Sequence, residues 1–396
     1  MNVNKVLCQL NSISFCVPRL IFFQASHTLS HTVRLSDIPD ICTSEEWNTV
    51  IQDSRAALQR YTAPSNSLGY RNPISVNAVV QRLQKTSSRH SHLINAFRQV
   101  LNNTDEAASR LRWPGLITLL ISKGIGCPFE TDNFISKRAE DVIWSSQILL
   151  AEIINLLHCH NVFRKENCIL SSSRRKKENF RTFRRMEQIV SDYFTSSTVS
   201  RFSGLRNSKV LHLLSEVLES QAKTRIENFR NFDIHTIYNL KAWEIDAFYP
   251  QGILLANGCQ AALELAGYSE RIQKMAFEFG QSFSFAIKAN ADIQQFQSYQ
   301  STQSSTINTS GLPVVLHLSN NPETLANIYA YGRRMDNIDL DQLNSIVISS
   351  RSVQQAKEVM EKYVKKTEDI LNEFEPIKKA EIIEYLFRLV KTLKNT

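Results

Sequence analysis

Glycine and proline are scarce in this chain of 396 residues, with 11 and 10 of each. Few breakers among long apolar-periodic stretches point to an all-α protein. Cysteine offers no framework either. Cys8, Cys16, Cys42, Cys127, Cys159, Cys168 and Cys259 are scattered, odd in number and contain no CxxC. That argues against a disulfide scaffold and fits a reducing compartment. No window reaches the roughly 18 uninterrupted apolar residues of a membrane-spanning helix. The nearest run, LCQLNSISFCVPRLIFF, is broken by Pro18 and Arg19. Acid is absent from residues 1–36, which carry Lys5, Arg19 and Arg34 among Ser, Thr, Leu and Phe before Asp37. Basic, hydroxyl-rich and acid-poor composition is that of a mitochondrial transit peptide, disordered in itself. The alternative is a disordered tail with no address, and the interrupted apolar core disfavours a secretory signal.

What is present is a hydrophobic fraction of 42%, enough to bury one large core or two smaller ones. The net charge is +8 and the pI about 9.1. A basic balance suits nucleic acid or an anionic membrane surface, and is also ordinary for a protein imported into the mitochondrial matrix. Much of the excess lies in Arg174–Arg185, where Arg174, Arg175, Lys176, Lys177, Arg181, Arg184 and Arg185 face a lone acid, Glu178.

Helical spacing begins at Ser44–Tyr61, with Ser44 placed to cap and Glu45 and Glu46 in the first turn. Residues 62–74 read as a loop, and Val76–Leu83 and Leu93–Leu101 as helices. Leu116–Ile125 is apolar on nearly every side and is expected to be central. Pro114 and Gly115 start it and Gly126–Cys127–Pro128 stops it. Ala139–Val162 is a second long helix, followed by a basic loop at 171–185. Helical patterns resume at Met186–Phe194, Val210–Ile226, Ile237–Leu265, Ile272–Phe296, Asp341–Ile348, Val353–Phe374 and Ile377–Leu393. Gln297–Gly311 is a polar loop by composition. PVVLHL at 313–318 is short enough for a strand, but its leading Pro and helical surroundings make a helix start the better reading.

Five blocks of sequence occur in a characteristic order: PGLITLLISKGIG at 114–126, LLAEIINLLHCHNVF at 149–163, AWEIDAFYPQGILLANGCQAALELA at 242–266, GLPVVLHLS at 311–319 and VQQAKEVMEKYVKKTEDIL at 353–371. Together they resemble the trans-isoprenyl (polyprenyl) diphosphate synthase family, and within it the non-catalytic subunits, from about Ser44 to Leu393. The resemblance implies an all-α fold, a single large helical bundle of the isoprenoid synthase type spanning 37–396. It also implies where chemistry would sit. In that family an allylic diphosphate ionises and isopentenyl diphosphate attacks the cation, while magnesium ions hold the leaving diphosphate. Magnesium takes hard carboxylate oxygens. Two DDxxD motifs on facing helices supply them, at i, i+1 and i+4.

Those acids are largely gone here. The first motif matches Lys165, Glu166, Asn167, Cys168 and Ile169, so a cation stands where a ligand is needed. The second matches Ala291, Asp292, Ile293, Gln294 and Gln295, leaving Asp292. A Lys–Thr pair that contacts diphosphate in the family matches Pro250 and Gln251, and Pro250 offers neither charge nor donor. Degradation at three separate anion-handling positions implies no catalytic residue and no metal in this chain, with magnesium expected in a catalytic partner. Arg110 and Arg112 stand near the family's isopentenyl-diphosphate site, as residual anion ligands or as plain surface charges. Asp192, in SDYF, reads as a helix-buried acid satisfied by neighbouring donors.

Two further clusters have sharp and bland readings. His158, His160 and Cys168 suggest zinc, but His at i and i+2 do not share a helix face, so a helix-face histidine beside a core Cys159 is preferred. Arg174–Arg185, with Phe180 and Phe183 interleaved, could bind RNA or lipid headgroups, or mark a nuclear address. The preferred reading is a solvated loop, with no nucleic-acid partner and peripheral contact with the inner membrane left open. The functional expectation is a regulatory or scaffolding subunit that pairs, as heterodimer or heterotetramer, with a catalytic polyprenyl diphosphate synthase subunit in the mitochondrial matrix. The decaprenyl-type complex would make the ubiquinone side chain. The alternatives are a divergent but active trans-prenyltransferase, and a nucleic-acid or membrane-binding protein on a repurposed frame. The small residues Gly252, Ala256, Gly258, Ala261 and Ala262 allow close packing of one helix, either within the domain or across an interface.

Overall fold

The computed structural model describes residues 44–61, 112–126, 128, 134–172, 177–227, 239–297, 310–321, 323–324, 340–374 and 380–394. They all fall in one structural unit, Leu35–Thr396. Among the described residues the regular structure is entirely helical. In chain order the helices are α1 (Glu45–Gln59), α2 (Trp113–Ile125), α3 (Phe134–Ser172), α4 (Lys177–Leu205), α5 (Ser208–Glu227), α6 (Leu240–Ala247), α7 (Ile253–Leu265), α8 (Glu270–Gln297), α9 (Leu312–Asn320), α10 (Leu340–Ser349), α11 (Ser352–Glu373) and α12 (Ala380–Thr392). A π-helical turn, Phe248–Gly252, joins α6 to α7.

Local sequence explains the ends. The Ser44 hydroxyl accepts from the Trp47 N–H at 3.2 Å, and Asn239 does the same for Ala242 at 2.8 Å. Both are N-caps that satisfy a donor orphaned in the first turn. Pro114 enters α2 and Pro313 enters α9, where a missing N–H costs nothing. Gly126 ends α2 at a φ of 77°, a conformation that suits a residue without Cβ.

The bundle is built around α7. It packs on α2, α3, α5 and α8 at once, which is why ILLANGCQAALEL is apolar almost all round. Its small residues serve contacts inside the domain. A Cβ on Gly258 would stand 3.1 Å from Ile154 of α3 and 3.2 Å from Thr118 of α2. Across the other side, a Cβ on Gly280 of α8 would come within 2.7 Å of the Ala256 Cα. One apolar core joins α1, α2, α8, α11 and α12. A second lies where α3, α5 and α7 meet around Ile154, Leu214 and Leu254.

The helices expected at Ser44–Tyr61, Leu116–Ile125, Val210–Ile226, Ile272–Phe296, Asp341–Ile348, Val353–Phe374 and Ile377–Leu393 are present, as is the helix start at Pro313. The basic segment 171–185, expected as a loop, is corrected: α3 runs to Ser172 and α4 begins at Lys177. Lys, Arg and Glu disrupt apolar periodicity, yet each is a good helix former. The single helix expected over Ile237–Leu265 carries the π turn instead. Pro250 has no N–H to offer an α-helical bond, and the Ile253 N–H reaches the Phe248 carbonyl five residues back. Residues 1–36, the loop at 62–74, the helices expected at 76–83 and 93–101, and the polar stretch 298–309 lie outside the described residues. No helix among the described residues is long and apolar enough to cross a membrane.

Candidate functional site

The degenerate second motif sits near the C-terminal end of α8. Asp292 is buried there, 4% exposed. A buried carboxylate must find donors or pay heavily for leaving water, and this one finds three. The indole Nε1 of Trp243 donates to Oδ2 at 2.9 Å, and the backbone N–H of Leu312 donates to the same oxygen at 3.1 Å. Lys288, one turn back on α8, donates to Oδ1. Leu312 is the first residue of α9, whose own N-cap, Gly311, has no side chain to offer. Asp292 therefore caps α9 from another helix, and its charge suits the positive end of that helix. The aspartate pins α6, α8 and α9 together.

Its former companions offer no ligand set. Ala291 and Gln295 lie on the same turn, half-buried and exposed respectively. Lys165 and Glu166 lie on α3 well before its end at Ser172, so the first motif is helical, but their side chains fall outside the described set. Pro250 and Gln251 stand in the π turn, and the Ser220 hydroxyl of α5 ties that turn down by donating to the Tyr249 carbonyl at 2.6 Å. Magnesium held between two diphosphate-clamping motifs needs several free carboxylate oxygens. The carboxylate in place is already committed to an indole, an amide and an ammonium, so this residue set does not fit the metal. Among the described residues no three His, Cys, Asp or Glu side chains gather as a metal site.

Arg112 has a main-chain task. As N-cap of α2, its N–H donates to Asn155 Oδ1 of α3 at 2.8 Å. Arg110 lies outside the described residues. Asp192 is exposed and accepts from Gln188 Nε2 at 2.7 Å, which corrects the expectation of a buried acid. On α4 it occupies the solvent side, while Ser191 beside it turns inward. His158 and His160 are both buried, yet on separate tasks. His158 packs edge-on against Trp113, 5.6 Å between centroids. His160 Nε2 and Ser191 Oγ share a 2.8 Å hydrogen bond, and its ring stacks on Phe194. Burial holds the His158 imidazole neutral, its pKa lowered to about 3, with nearby Arg112 adding to the shift.

Sequence reasoning missed a cleft on the outer side of α8. Its walls come from α6, the π turn, α8 and α11, and this open groove has a volume of about 470 Å³. Phe248, Phe285 and Tyr363 line it, with Lys241, Lys362 and Lys366 around it. The Tyr363 hydroxyl donates to Glu244, and burial, followed by that bond, pushes the phenol well above its ordinary pKa. The available signal was the i, i+4 pair Lys362 and Lys366 beside Tyr363, but that pattern is common on solvated helices.

This architecture, a helical bundle around α7 with motif positions on α3 and α8, is the all-α fold of the trans-prenyl diphosphate synthases. The heptaprenyl diphosphate synthase of Staphylococcus aureus matches it with a TM-score of 0.60, at 14% identity over 81% of this chain and 97% of that one. A polyprenyl synthase from Caulobacter crescentus CB15, solved with calcium and isoprenyl diphosphate, matches at a TM-score of 0.59 and 14% identity over 89% and 97%. In sequence the chain resembles the same family on its polyprenyl side: it is 28% identical over 285 residues to the all trans-polyprenyl-diphosphate synthase PDSS2 of Mus musculus, covering 68% of each chain. No family model matches the chain.

Proposed function

We propose that this chain is a non-catalytic regulatory or scaffolding subunit of a heteromeric all-trans polyprenyl diphosphate synthase. The observation that carries the reading is Asp292: the acid retained from the second motif is buried and spent on Trp243, Leu312 and Lys288. A carboxylate so engaged contributes to folding and is a poor metal ligand, with Oδ2 bonded twice and Oδ1 paired with an ammonium. The cation at Lys165 and the proline at position 250 point the same way. Magnesium and ionisation of the allylic diphosphate then belong to a catalytic partner, in a decaprenyl-type complex supplying the ubiquinone side chain. The mitochondrial matrix is the proposed compartment, on the acid-free composition of residues 1–36.

The partner surface is to be sought away from α7, whose small residues are spent inside the domain. Val199 on α4 is 50% exposed, while Ile245 and Tyr249 at the α6 end are 46% and 43% exposed. Ile245 and Tyr249, four residues apart, are the candidate apolar contact for another chain, whereas a single exposed apolar side chain such as Val199 is ordinary.

The test is to express the full chain alone and together with a catalytic polyprenyl diphosphate synthase, then assay magnesium-dependent prenyl transfer. The expected result is background turnover alone, and co-purification with raised turnover in the pair. Prenyl transfer by this chain alone, at rates matching the catalytic subunit, would sink the proposal. So would failure to associate with any catalytic subunit.

A further inference from the structure

We infer that the groove between α6, α8 and α11 seats an acidic amphipathic helix of the catalytic subunit with which this chain is proposed to pair. The inference rests on that subunit reading and adds where the partner is held and by what chemistry.

The walls of the groove are two helical rows. On α6 and the π turn that continues it, Lys241, Ile245 and Tyr249 recur at every fourth position, and all three are exposed. On α11, Lys362 and Lys366 stand one turn apart and are exposed as well. Residues spaced by four share one face of a helix. Between the rows lies an aromatic floor. Phe285 and Tyr363 stand 5.0 Å apart between centroids, and Phe248 lies 6.3 Å from Phe285. A floor of this kind takes apolar anchors that project from one stripe of a docked helix.

Shape favours a polypeptide over a small molecule. Small-molecule sites cover most of their ligand's surface, whereas this groove is open. Ile245 and Tyr249 line it and still keep nearly half their surface in water. A volume of about 470 Å³ holds a few anchor side chains, while the body of a helix laid across it covers the aromatic floor and the exposed lip together.

Charge sets the sign of the partner. Among the described residues the lining carries Lys241, Lys362 and Lys366 against a single acid, Glu244, whose carboxylate accepts from the Tyr363 hydroxyl. The lysines stand on both walls, so acids on both flanks of an apolar stripe would meet them. Opposite charge across an interface steers encounter and fixes orientation. A second copy of this chain is a poor occupant, because its net charge of +8 repels a basic groove. Pro250, Gln251 and Asp292 are not in the lining, so the groove is separate from the degenerate motif positions described here.

The experiment measures association and dissociation rates of the full chain with a catalytic polyprenyl diphosphate synthase subunit, at low and high salt. Ile245→Ser with Tyr249→Ser is expected to raise the dissociation rate at least about tenfold, since the apolar contact is lost. Lys362→Glu with Lys366→Glu is expected to slow association about tenfold at low salt and to flatten its salt dependence. Ile348→Ser, at an exposed position on α10 outside the groove, is expected to change neither rate. Hydrogen exchange on the wild-type complex needs no substitution. It is expected to slow in α6 and the π turn, and in one helix of the partner whose apolar stripe is flanked by acids. Wild-type rates in either double variant, unchanged exchange in α6, or a protected partner segment without acids overturns the inference and leaves the subunit reading standing. Absence of association by the wild type overturns the subunit reading, and the inference with it. Dimerisation of the chain alone, abolished by both double variants, would make the occupant a second copy and also overturns the inference.

Discussion

Replacing Asp292 with alanine separates a structural carboxylate from a metal ligand. In the structure the substitution removes the acceptor of the Trp243 indole and of the Leu312 amide. Each buried donor left unmade costs about 1–3 kcal/mol, so the two together cost about 2–5 kcal/mol after partial relaxation. Lys288 adds little, because its side chain is 28% exposed and can turn to water. Against a typical domain stability of about 5–15 kcal/mol the loss is large. Asp292→Asn, with its amide oxygen in the place of Oδ2, keeps the acceptor of both the indole and the amide and is expected to recover most of the loss. A free metal ligand behaves in the opposite way: removing a buried, uncompensated carboxylate stabilises the apo chain, and magnesium stabilises the wild type alone. Urea unfolding followed by circular dichroism, with and without magnesium, reads both. A variant within about 0.5 kcal/mol of wild type, or a magnesium-induced rise in the wild-type midpoint that the variant lacks, would refute the staple.

Gly280→Ala forces a methyl to within 2.7 Å of the Ala256 Cα and 2.8 Å of the Leu255 carbonyl, both backbone atoms that cannot swing aside. It is expected to cost about 1–3 kcal/mol by overpacking, seen as a lowered thermal midpoint, whereas an unchanged midpoint would mean that α7 and α8 part readily. His158 makes stability depend on pH. Its folded pKa of about 3 lies below the ordinary 6.5, so the unfolded chain binds the proton first as pH falls. Stability held above pH 6.5 is lost below it, at about 1.4 kcal/mol per pH unit and about 2 kcal/mol by pH 5. Comparing urea midpoints at pH 7.5, 6 and 5 for wild type and His158→Leu isolates this share of the slope, and parallel slopes would contradict it.

Much of the bundle was legible because helix formation is local. Apolar spacing marked α1, α2, α5, α8, α11 and α12, and Ser44, Pro114 and Pro313 marked starts. Reading failed where the signal was not apolar. Arg164, Lys165 and Glu166 and the basic run after them interrupt the periodicity, yet α3 and α4 run through most of that region. Pro250 was read as a lost diphosphate contact and not as the cause of a π turn.

The sequence by itself determined that the chain is helical and that acids are missing at Ala291 and Gln295 and at Lys165, because residue identity and short-range spacing carry that information. Tertiary structure alone decided what the surviving acid does. Asp292 meets its donors across 49 and 20 residues of sequence, and no local pattern pairs it with Trp243 or with the start of α9. The same holds for the aromatic cleft, whose walls α6, α8 and α11 are brought together only by packing. Side-chain chemistry is written residue by residue, but the donors, acceptors and charges that satisfy it are supplied by whichever helices the fold places alongside.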